Sequence, residues 1–246
     1  MILLVTGGGR GIGAATARLA ADCGYAVCVN YRSNQRAAES VVADIVASGG
    51  RAVAVQADVS VESEVEGLFR AVDAELGRLT ALVNNAGILE EQARVETLDA
   101  ARITRVLATN VVGAFICARE AVGRMSTARG GPGGSIVNVS SRAAILGSPG
   151  EYVDYAASKA ALDALTTGLA KEVAAEGIRV NGVRAGIIDT DIHASGGEPG
   201  RVHRLGPTLP MRRGGSAMEV ARAILWLLSD DASYTTASFI DVAGGR

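Results

Sequence analysis

Short apolar runs alternate with longer amphipathic segments along the whole chain. The amphipathic segments predict helices, and the apolar runs predict β-strands at residues 2–6, 26–30, 52–56, 79–84, 135–140, 179–183 and 239–242. Strands that are apolar on both faces are typical of a parallel sheet covered by helices on each side. The alternation therefore predicts a doubly wound α/β/α sandwich, formed by a single domain over residues 1–246.

The composition fits one globular domain. The 246 residues are 48% hydrophobic and carry a formal net charge of −2, which suits a chain that buries a substantial core. No short segment concentrates lysine or arginine, so we expect neither nucleic acid nor an anionic membrane as a partner. No basic leader precedes a long apolar run, and the apolar runs are short, so we expect a protein that is neither secreted nor membrane-inserted.

The cysteines and histidines predict no metal site. Cys23, Cys28 and Cys117 lack Cys-x-x-Cys spacing, which argues against a disulfide framework and against structural zinc. His193 and His203 are too few for a His-based site, and we interpret them as loop or rim residues. Unpaired cysteines favour the reducing cytoplasm.

A glycine-rich turn joins the first strand to a helix predicted at residues 14–23. It reads Gly7-Gly8-Gly9-Arg10-Gly11-Ile12-Gly13. Glycine lets a backbone approach a pyrophosphate closely, and the free amides of a helix N-terminus attract its negative charge. The spacing, Gly7-x-x-x-Gly11-x-Gly13, departs from the literal Gly-x-Gly-x-x-Gly fingerprint. We nevertheless interpret the turn as a nucleotide-binding element, because flexible linkers are rarely found between a buried strand and a helix.

Tyr155 and Lys159 lie four residues apart, which places them side by side on a helix. A neighbouring ammonium is expected to lower the pKa of the phenol from about 10 towards working pH. Such a pair can do acid–base chemistry. Tyr152 has the wrong spacing to replace Tyr155. Taken alone, the pair is more often a packed ring beside a solvated amine.

Together with motifs elsewhere in the chain, the glycine turn and the Tyr155/Lys159 pair resemble the short-chain dehydrogenase/reductase family. The further motifs are Asn84-Asn85-Ala86-Gly87, Asn110 and Asn138-Val139-Ser140-Ser141. The resemblance runs from Met1 to Gly245. It implies a Rossmann-type three-layer fold, a nicotinamide cofactor and a homotetramer. The long helices near residues 101–125 and 155–175, and the C-terminal strand with its preceding helix, would form the subunit contacts.

The resemblance also implies four catalytic residues. Tyr155 would exchange a proton with the substrate oxygen, and Ser141 would hydrogen-bond that oxygen. Lys159 would bind the nicotinamide ribose, and Asn110 would hold a water that links Lys159 to solvent. The interval from Ser141 to Tyr155 is one residue longer than in many relatives, which leaves Ser140 open as the catalytic serine.

A larger set of residues matches the family's cofactor contacts. Asp58 would meet the adenine amino group or cap the helix predicted to start near Ser60, and both roles stay open. The full set is Gly7, Gly9, Arg10, Gly11, Ile12, Gly13, Asn30, Tyr31, Arg32, Ser33, Asp58, Val59, Asn85, Ala86, Gly87, Tyr155, Lys159, Gly186, Ile188 and Thr190.

The end of the second strand favours NADP(H) over NAD(H). NAD-dependent enzymes place a carboxylate there, on the adenosine ribose hydroxyls. Asn30 removes the repulsion that such a carboxylate would exert on a 2′-phosphate, and Arg32 supplies a guanidinium that could bind the phosphate. Arg10 is a second nearby cation. Relatives with a similar run accept both cofactors, so NAD(H) remains possible.

Two segments near the C-terminus shape the expected substrate site. Arg184-Ala185-Gly186 stands where the family usually has Pro-Gly, and the loss of proline is expected to loosen the wall beside the nicotinamide. The glycine- and proline-rich stretch at about residues 190–215, here called the lid segment, is expected to form a flexible substrate cover.

The resemblance predicts an NAD(P)(H)-dependent oxidoreductase that interconverts a secondary alcohol or sugar hydroxyl and a carbonyl. Glucose 1-dehydrogenase-like members fit this reading. One alternative is a 3-oxoacyl thioester reductase of fatty-acid type, similar to 3-oxoacyl-[acyl-carrier-protein] reductases, which would dock its carrier protein on basic residues. The other is a catalytically silent NADP-binding sensor. The candidate docking residues are Arg201, Arg204, Arg212 and Arg213.

Overall fold

A seven-stranded parallel sheet forms the centre of the molecule in a computed structural model that describes residues 1–246. The strand order is β3-β2-β1-β4-β5-β6-β9. This order confirms the predicted doubly wound sheet, because the chain winds outwards from β1 in one direction and from β4 in the other. The strands are β1 (Ile2–Val5), β2 (Ala26–Tyr31), β3 (Ala52–Gln56), β4 (Ala81–Asn84), β5 (Gly134–Ser141), β6 (Ile178–Ala185) and β9 (Phe239–Val242), with β7 (Ile188–Asp189) and β8 (Gly215–Ser216) paired separately.

Helices cover both faces of the sheet and so complete the three layers. Around β1, Leu3 and Val5 face a core cluster with α1, α2 and α10, whereas Leu4 faces a second cluster with α3, α5 and α7. The helices are α1 (Gly11–Asp22), α2 (Gln35–Ala47), α3 (Glu62–Glu75), α4 (Ala100–Leu107), α5 (Gly113–Met125), α6 (Ala143–Leu146), α7 (Val153–Val173), α8 (Ile192–Ser195), α9 (Arg201–Leu205) and α10 (Ala217–Leu228).

The predicted strand positions are confirmed, with differences at the ends that bear on function. Helix α1 begins at Gly11, inside the glycine turn, rather than at residue 14. Strand β6 continues two residues beyond the prediction to Ala185, because Ala185 pairs with Ser141 at the end of β5. These extensions bring the turn and the serines to one edge of the sheet.

The lid segment contains more regular structure than its composition suggested. It includes the short helices α8 and α9, and it ends where β8 pairs with β7. His193 and Arg201, one on each short helix, are buried. The flexibility expected of this segment stays a prediction.

The helical stretch Ala100–Met125 is long and apolar enough, by length and composition, to cross a membrane. Its inner face packs against the sheet, however, because Cys117, Ala121 and Met125 are fully buried in the second core cluster. A buried amphipathic helix of a three-layer fold meets the same criteria of length and composition, so this stretch is accounted for as a core helix.

Candidate active site

Two neighbouring concavities lie beside the carboxyl ends of the central strands, where doubly wound folds bind ligands. The glycine cleft is lined by the glycine turn, the end of β2 and the loop after β3. The tyrosine cavity is lined by the end of β5, the start of α7 and the lid segment. The residues that line both, and so mark the junction, are Ile12, Asn85, Gly87, Thr190 and Ile192.

The glycine turn is built for close approach of a ligand. Gly7 and Gly11 have positive φ angles of 61° and 52°, which favour glycine. A Cβ on Gly13 would lie 2.5 Å from the Gly7 oxygen and 2.6 Å from Asn85 Nδ2. No side chain caps the first turn of α1, so its amides are available to an anion. The turn therefore fits a pyrophosphate.

Side-chain amides hold this turn against the sheet. Asn30 is 2% exposed, accepts a hydrogen bond from the Gly7 amide and donates to the Ala57 oxygen at 3.0 Å. Asn85 donates from Nδ2 to the main-chain oxygens of Thr6 and Gly7. Asn30 therefore does more than remove a carboxylate, since its amide fixes the turn to the ends of β2 and β3.

Two cationic side chains, those of Arg10 and Arg32, line the glycine cleft. Arg32 lines the cleft with a side chain that is 59% exposed and lies 4.0 Å from the Asp58 carboxylate. Arg10 lines the same cleft and is exposed. Asp58 does not cap α3, because its carboxylate accepts from Ser60 and the helix begins later, at Glu62. The capping alternative for Asp58 is therefore wrong.

Tyr155 and Lys159 lie together in the tyrosine cavity, as their spacing predicted. Lys159 Nζ lies 5.6 Å from the centre of the Tyr155 ring and donates to the Val139 oxygen at 2.8 Å. Burial raises the pKa of Tyr155 to about 12 and lowers that of Lys159 to about 8. Desolvation disfavours the charged form of each group, and a hydrogen bond to Ser141 only partly lowers the phenol pKa. The protein groups alone therefore do not produce the lowered phenol pKa expected from the sequence.

The two adjacent serines at the end of β5 have different surroundings. The Ser140 hydroxyl is 2% exposed and donates to the Lys159 main-chain oxygen at 3.3 Å. The Ser141 hydroxyl interacts with the Tyr155 phenol, accepts from the Ala143 amide and donates to the Ala185 oxygen at 3.4 Å. This geometry favours Ser141 over Ser140 as the serine that meets a substrate oxygen.

Asn110 lies behind the junction, in a single π-helical turn (Ala108–Val112) between α4 and α5. Such turns often occur at functional sites. The Asn110 Oδ1 atom accepts a hydrogen bond from the Ile88 amide, and Asn110 Nδ2 donates to the Ile88 oxygen and to the Ser158 hydroxyl. A Cβ on Gly87 would lie 3.4 Å from Asn110 Oδ1 and 3.5 Å from Lys159 Nζ. Both groups therefore border the same small space, although Asn110 lines neither cavity.

Ala185, immediately before Gly186, stands where the family usually has proline, and the preceding residue of this strand, Arg184, supports it. Arg184 Nε donates to Asp163 at 2.8 Å, and its guanidinium lies 3.9 Å from the Phe239 ring centre. The next glycine, Gly186, donates to the Val242 oxygen, and a Cβ there would lie 2.6 Å from Ala243. The wall expected to be loose is tied to neighbouring elements.

The lid segment is joined to the start of α7 by buried polar contacts. Arg201 is 4% exposed and binds the Glu151 and Glu198 carboxylates, while its guanidinium lies 5.1 Å from the Tyr152 ring centre. The Tyr152 hydroxyl donates to the Gly196 oxygen at 3.1 Å. Glu151 and Tyr152 lie between Ser141 and Tyr155, just before α7, and these contacts fix the lid segment to that interval.

His193 is neither a loop residue nor a rim residue, contrary to the sequence interpretation. It is 8% exposed on α8, lines the tyrosine cavity, and its Nε2 lies 2.9 Å from the Ile188 oxygen. That contact requires the proton on Nε2, so Nδ1, which has no hydrogen-bond partner, is an acceptor. Burial lowers the pKa of His193, which favours this neutral form.

Every predicted cofactor residue except Gly13 lines one of the two concavities. Ser141, Tyr155 and Lys159 line the tyrosine cavity together. Sequence reasoning did not place Arg142, His193 and Arg246 in this cavity, although all three line it. No local motif surrounds these three residues, and only the fold brings them together.

The chain is similar over nearly its whole length to known oxidoreductases. The profile of a family described as enoyl-(acyl carrier protein) reductase matches residues 7–246. An uncharacterized oxidoreductase of Escherichia coli K12, YgfF, is 63% identical, with 100% of this chain and 99% of that protein covered. A 3-oxoacyl-[acyl-carrier-protein] reductase of Synechocystis is 38% identical over 99% of this chain and 96% of that protein.

A solved structure of a short-chain type dehydrogenase/reductase from Mycobacterium marinum superposes with a TM-score of 0.92. It is 33% identical, and the alignment covers 99% of this chain and 94% of that one. The chain therefore belongs to the short-chain dehydrogenase/reductase family of nicotinamide-dependent oxidoreductases.

Proposed function

We propose that the protein is an NADP(H)-preferring enzyme that interconverts a carbonyl and a secondary alcohol or sugar hydroxyl, with Tyr155 as the general acid and base. The observation that carries this proposal is the position of Tyr155, Ser141 and Lys159. They line one cavity that meets the glycine cleft along a shared border. A cofactor in the cleft and a substrate in the cavity would therefore meet at that border.

Tyr155, Ser141 and Lys159 would have complementary tasks. When bound, the nicotinamide supplies or accepts the hydride. Tyr155 gives its proton to the carbonyl oxygen in reduction and takes it back in oxidation. Ser141 donates a hydrogen bond that stabilises the negative charge developing on that oxygen. Lys159 places a positive charge beside the phenol, and its amine shares the space at Gly87 with Asn110, where we place the proton path to solvent.

The preference for NADP(H) is supported by charge at the end of the glycine cleft. Arg32 and Arg10 line it, and a 2′-phosphate would receive charge-assisted hydrogen bonds from Arg32. The Asp58 carboxylate, 4.0 Å from Arg32, offers an acceptor to ribose hydroxyls. This neighbour is consistent with use of NAD(H) as a second cofactor.

The proposal includes two further properties: the protein forms a homotetramer, and it is located in the cytoplasm. Val112 and Phe115, on the outer side of the Ala100–Met125 stretch, are 48% and 50% exposed, and Trp226 on α10 is 43% exposed. Large apolar side chains at these sites favour burial by another subunit. Three free cysteines, two of them buried, suit a reducing compartment. Sedimentation of wild-type protein and of Phe115→Glu tests the assembly, which the charged variant is expected to weaken.

The alternative of a 3-oxoacyl thioester reductase has support from relatives that carry that name. Its suggested docking arginines are engaged within the chain, however. Arg201 is buried in ion pairs, and Arg204 and Arg213 are bound to Glu198 and Glu219. A carrier protein would therefore need to displace existing pairs or rely on Arg212.

The test is oxidation of NADPH and NADH by purified protein with a panel of ketones, aldoses and acyl thioesters. We expect turnover with a ketone or aldose, and a loss of about 10²–10⁴-fold in Tyr155→Phe, the range of general acid–base catalysis. The variant should still bind NADPH. Undiminished turnover in Tyr155→Phe would contradict the assignment of Tyr155. Tight NADPH binding without turnover on any substrate would favour the sensor alternative.

A further inference from the structure

Three guanidinium groups line the tyrosine cavity, and two of them are already neutralised. Arg201 is paired with Glu151 and Glu198. Arg142 binds Asp241 through Nη1 at 2.5 Å and the Arg246 main-chain oxygen through Nε at 2.8 Å. In both cases the planar guanidinium already donates to acceptors of the protein, so it has few free donors and little unpaired charge with which to bind a ligand.

The third guanidinium, that of Arg246, makes neither an ion pair nor a hydrogen bond with a protein group. Its nearest charged neighbours include two cations, Arg201 and Arg142, and one carboxylate, Glu151. Both Glu151 oxygens are bound by Arg201. A half-buried cation beside two others is costly unless an anion joins it. Burial and the neighbouring arginines lower the pKa of Arg246 accordingly.

The position of Arg246 separates it from the adenosine end of the cofactor, which would occupy the glycine cleft. It lines the tyrosine cavity but not the glycine cleft, and it is not among the residues shared at the junction. Apolar side chains, including Leu89, Leu146 and Ile187, line the rest of the cavity. A ligand that fills this space would present its carbonyl to Tyr155, an apolar body to these side chains and an anionic end to Arg246.

We propose that Arg246 selects substrates that carry an anionic group, a carboxylate or a phosphate, in addition to the reacting carbonyl or hydroxyl. This inference rests on the proposed function and narrows its substrate class to oxo or hydroxy acids and their phosphorylated counterparts. Arg246 is then a specificity-determining residue that binds the substrate away from the reacting atoms. Its effect falls on KM and on discrimination rather than on the proton transfer.

The test compares matched substrates. The 3-, 4- and 5-oxo acids are assayed beside their methyl esters, together with a phosphorylated hydroxyketone and its unphosphorylated form. We expect kcat/KM to favour at least one anion over its neutral partner by more than about 10-fold, as one charge-assisted hydrogen bond can provide. The ratio should fall to about 1 in Arg246→Met and recover partly in Arg246→Lys. The carboxylate and phosphate arms identify the anion.

A binding measurement separates this inference from the proposed function. Glutarate, hexanoate and inorganic phosphate are titrated calorimetrically into NADP⁺-saturated wild-type protein and Arg246→Met. Stronger binding of one anion to the wild type supports the inference even if no carbonyl turns over. Equal turnover of neutral and charged partners in the wild type, or an anion preference that survives in Arg246→Met, would overturn it and leave the proposed function intact. Equal anion binding by both proteins would also overturn it.

Discussion

The glycine cleft and the tyrosine cavity lie side by side, yet they are constructed in different ways. The cleft is lined mainly by the glycine turn, the end of β2 and the loop after β3, and the side-chain amides of Asn30 and Asn85 fix the turn in place. The cavity is formed by side chains from β5, α7, the lid segment and the last residue, Arg246. A cofactor shared by a whole family needs a constant backbone shape, whereas a particular substrate needs particular side chains. We therefore expect the side chains of the cavity to determine which substrate this protein accepts.

After that of Tyr155→Phe, the largest expected effect lies in the tyrosine cavity, at its adjacent serines. Ser141→Ala should lower kcat by about 10²–10³-fold, because it removes a donor to the developing oxyanion. Ser140→Ala removes only a hydrogen bond to a main-chain oxygen, so it should change kcat little and lower the unfolding free energy by about 1 kcal/mol. Steady-state kinetics and denaturant unfolding of both variants test this. The opposite ranking of kcat values would move the catalytic role to Ser140.

A smaller effect is expected in the glycine turn, at Gly13, which supports the cleft without lining it. Gly13→Ala should destabilise the protein by about 1–3 kcal/mol and weaken NADPH binding, since its Cβ would collide with main-chain and side-chain atoms of the turn. Gly123→Ala is the matched control, because that helical glycine has no neighbouring atom within 4 Å. The control should stabilise α5 by up to about 1 kcal/mol. Thermal unfolding and NADPH titration measure both, and unaltered NADPH affinity in Gly13→Ala would contradict this construction of the cleft.

The prediction from sequence succeeded where local pattern determines the structure. Apolar runs located the strands, and the glycine turn indicated the transition from β1 to α1, although α1 begins at Gly11 rather than at the predicted residue 14. Arg142, His193 and Arg246 could not be predicted as neighbours of Tyr155, because the contacts depend on how β5, α8 and the chain end fold together. The π-helical turn at Asn110 was also beyond sequence reasoning, since its residues resemble those of an ordinary helix.

A pH-dependent effect on stability, without a change in any contact, is expected from the buried amine of Lys159 in the tyrosine cavity. Its pKa is lowered to about 8 from 10.5, so the unfolded chain binds more protons than the folded one between pH 8 and 10.5. The unfolding free energy should therefore rise with pH in that window. Relative to Lys159→Met, the rise should be about 2 kcal/mol between pH 7.5 and 9.5. Urea unfolding at the two pH values measures it, and a constant difference between the proteins would show that the pKa is not lowered.

The central claim is that each region has its own cation. Arg32 binds the cofactor in the glycine cleft, and Arg246 binds the substrate in the tyrosine cavity. The most direct measurement is the dissociation constant for NADPH and the KM for an anionic substrate in Arg32→Ser and Arg246→Met. We predict that Arg32→Ser weakens NADPH binding while NADH use and substrate KM stay near wild type. Arg246→Met should raise only the substrate KM. If both variants weaken NADPH binding equally, or if neither changes its own parameter, the division between cleft and cavity is contradicted.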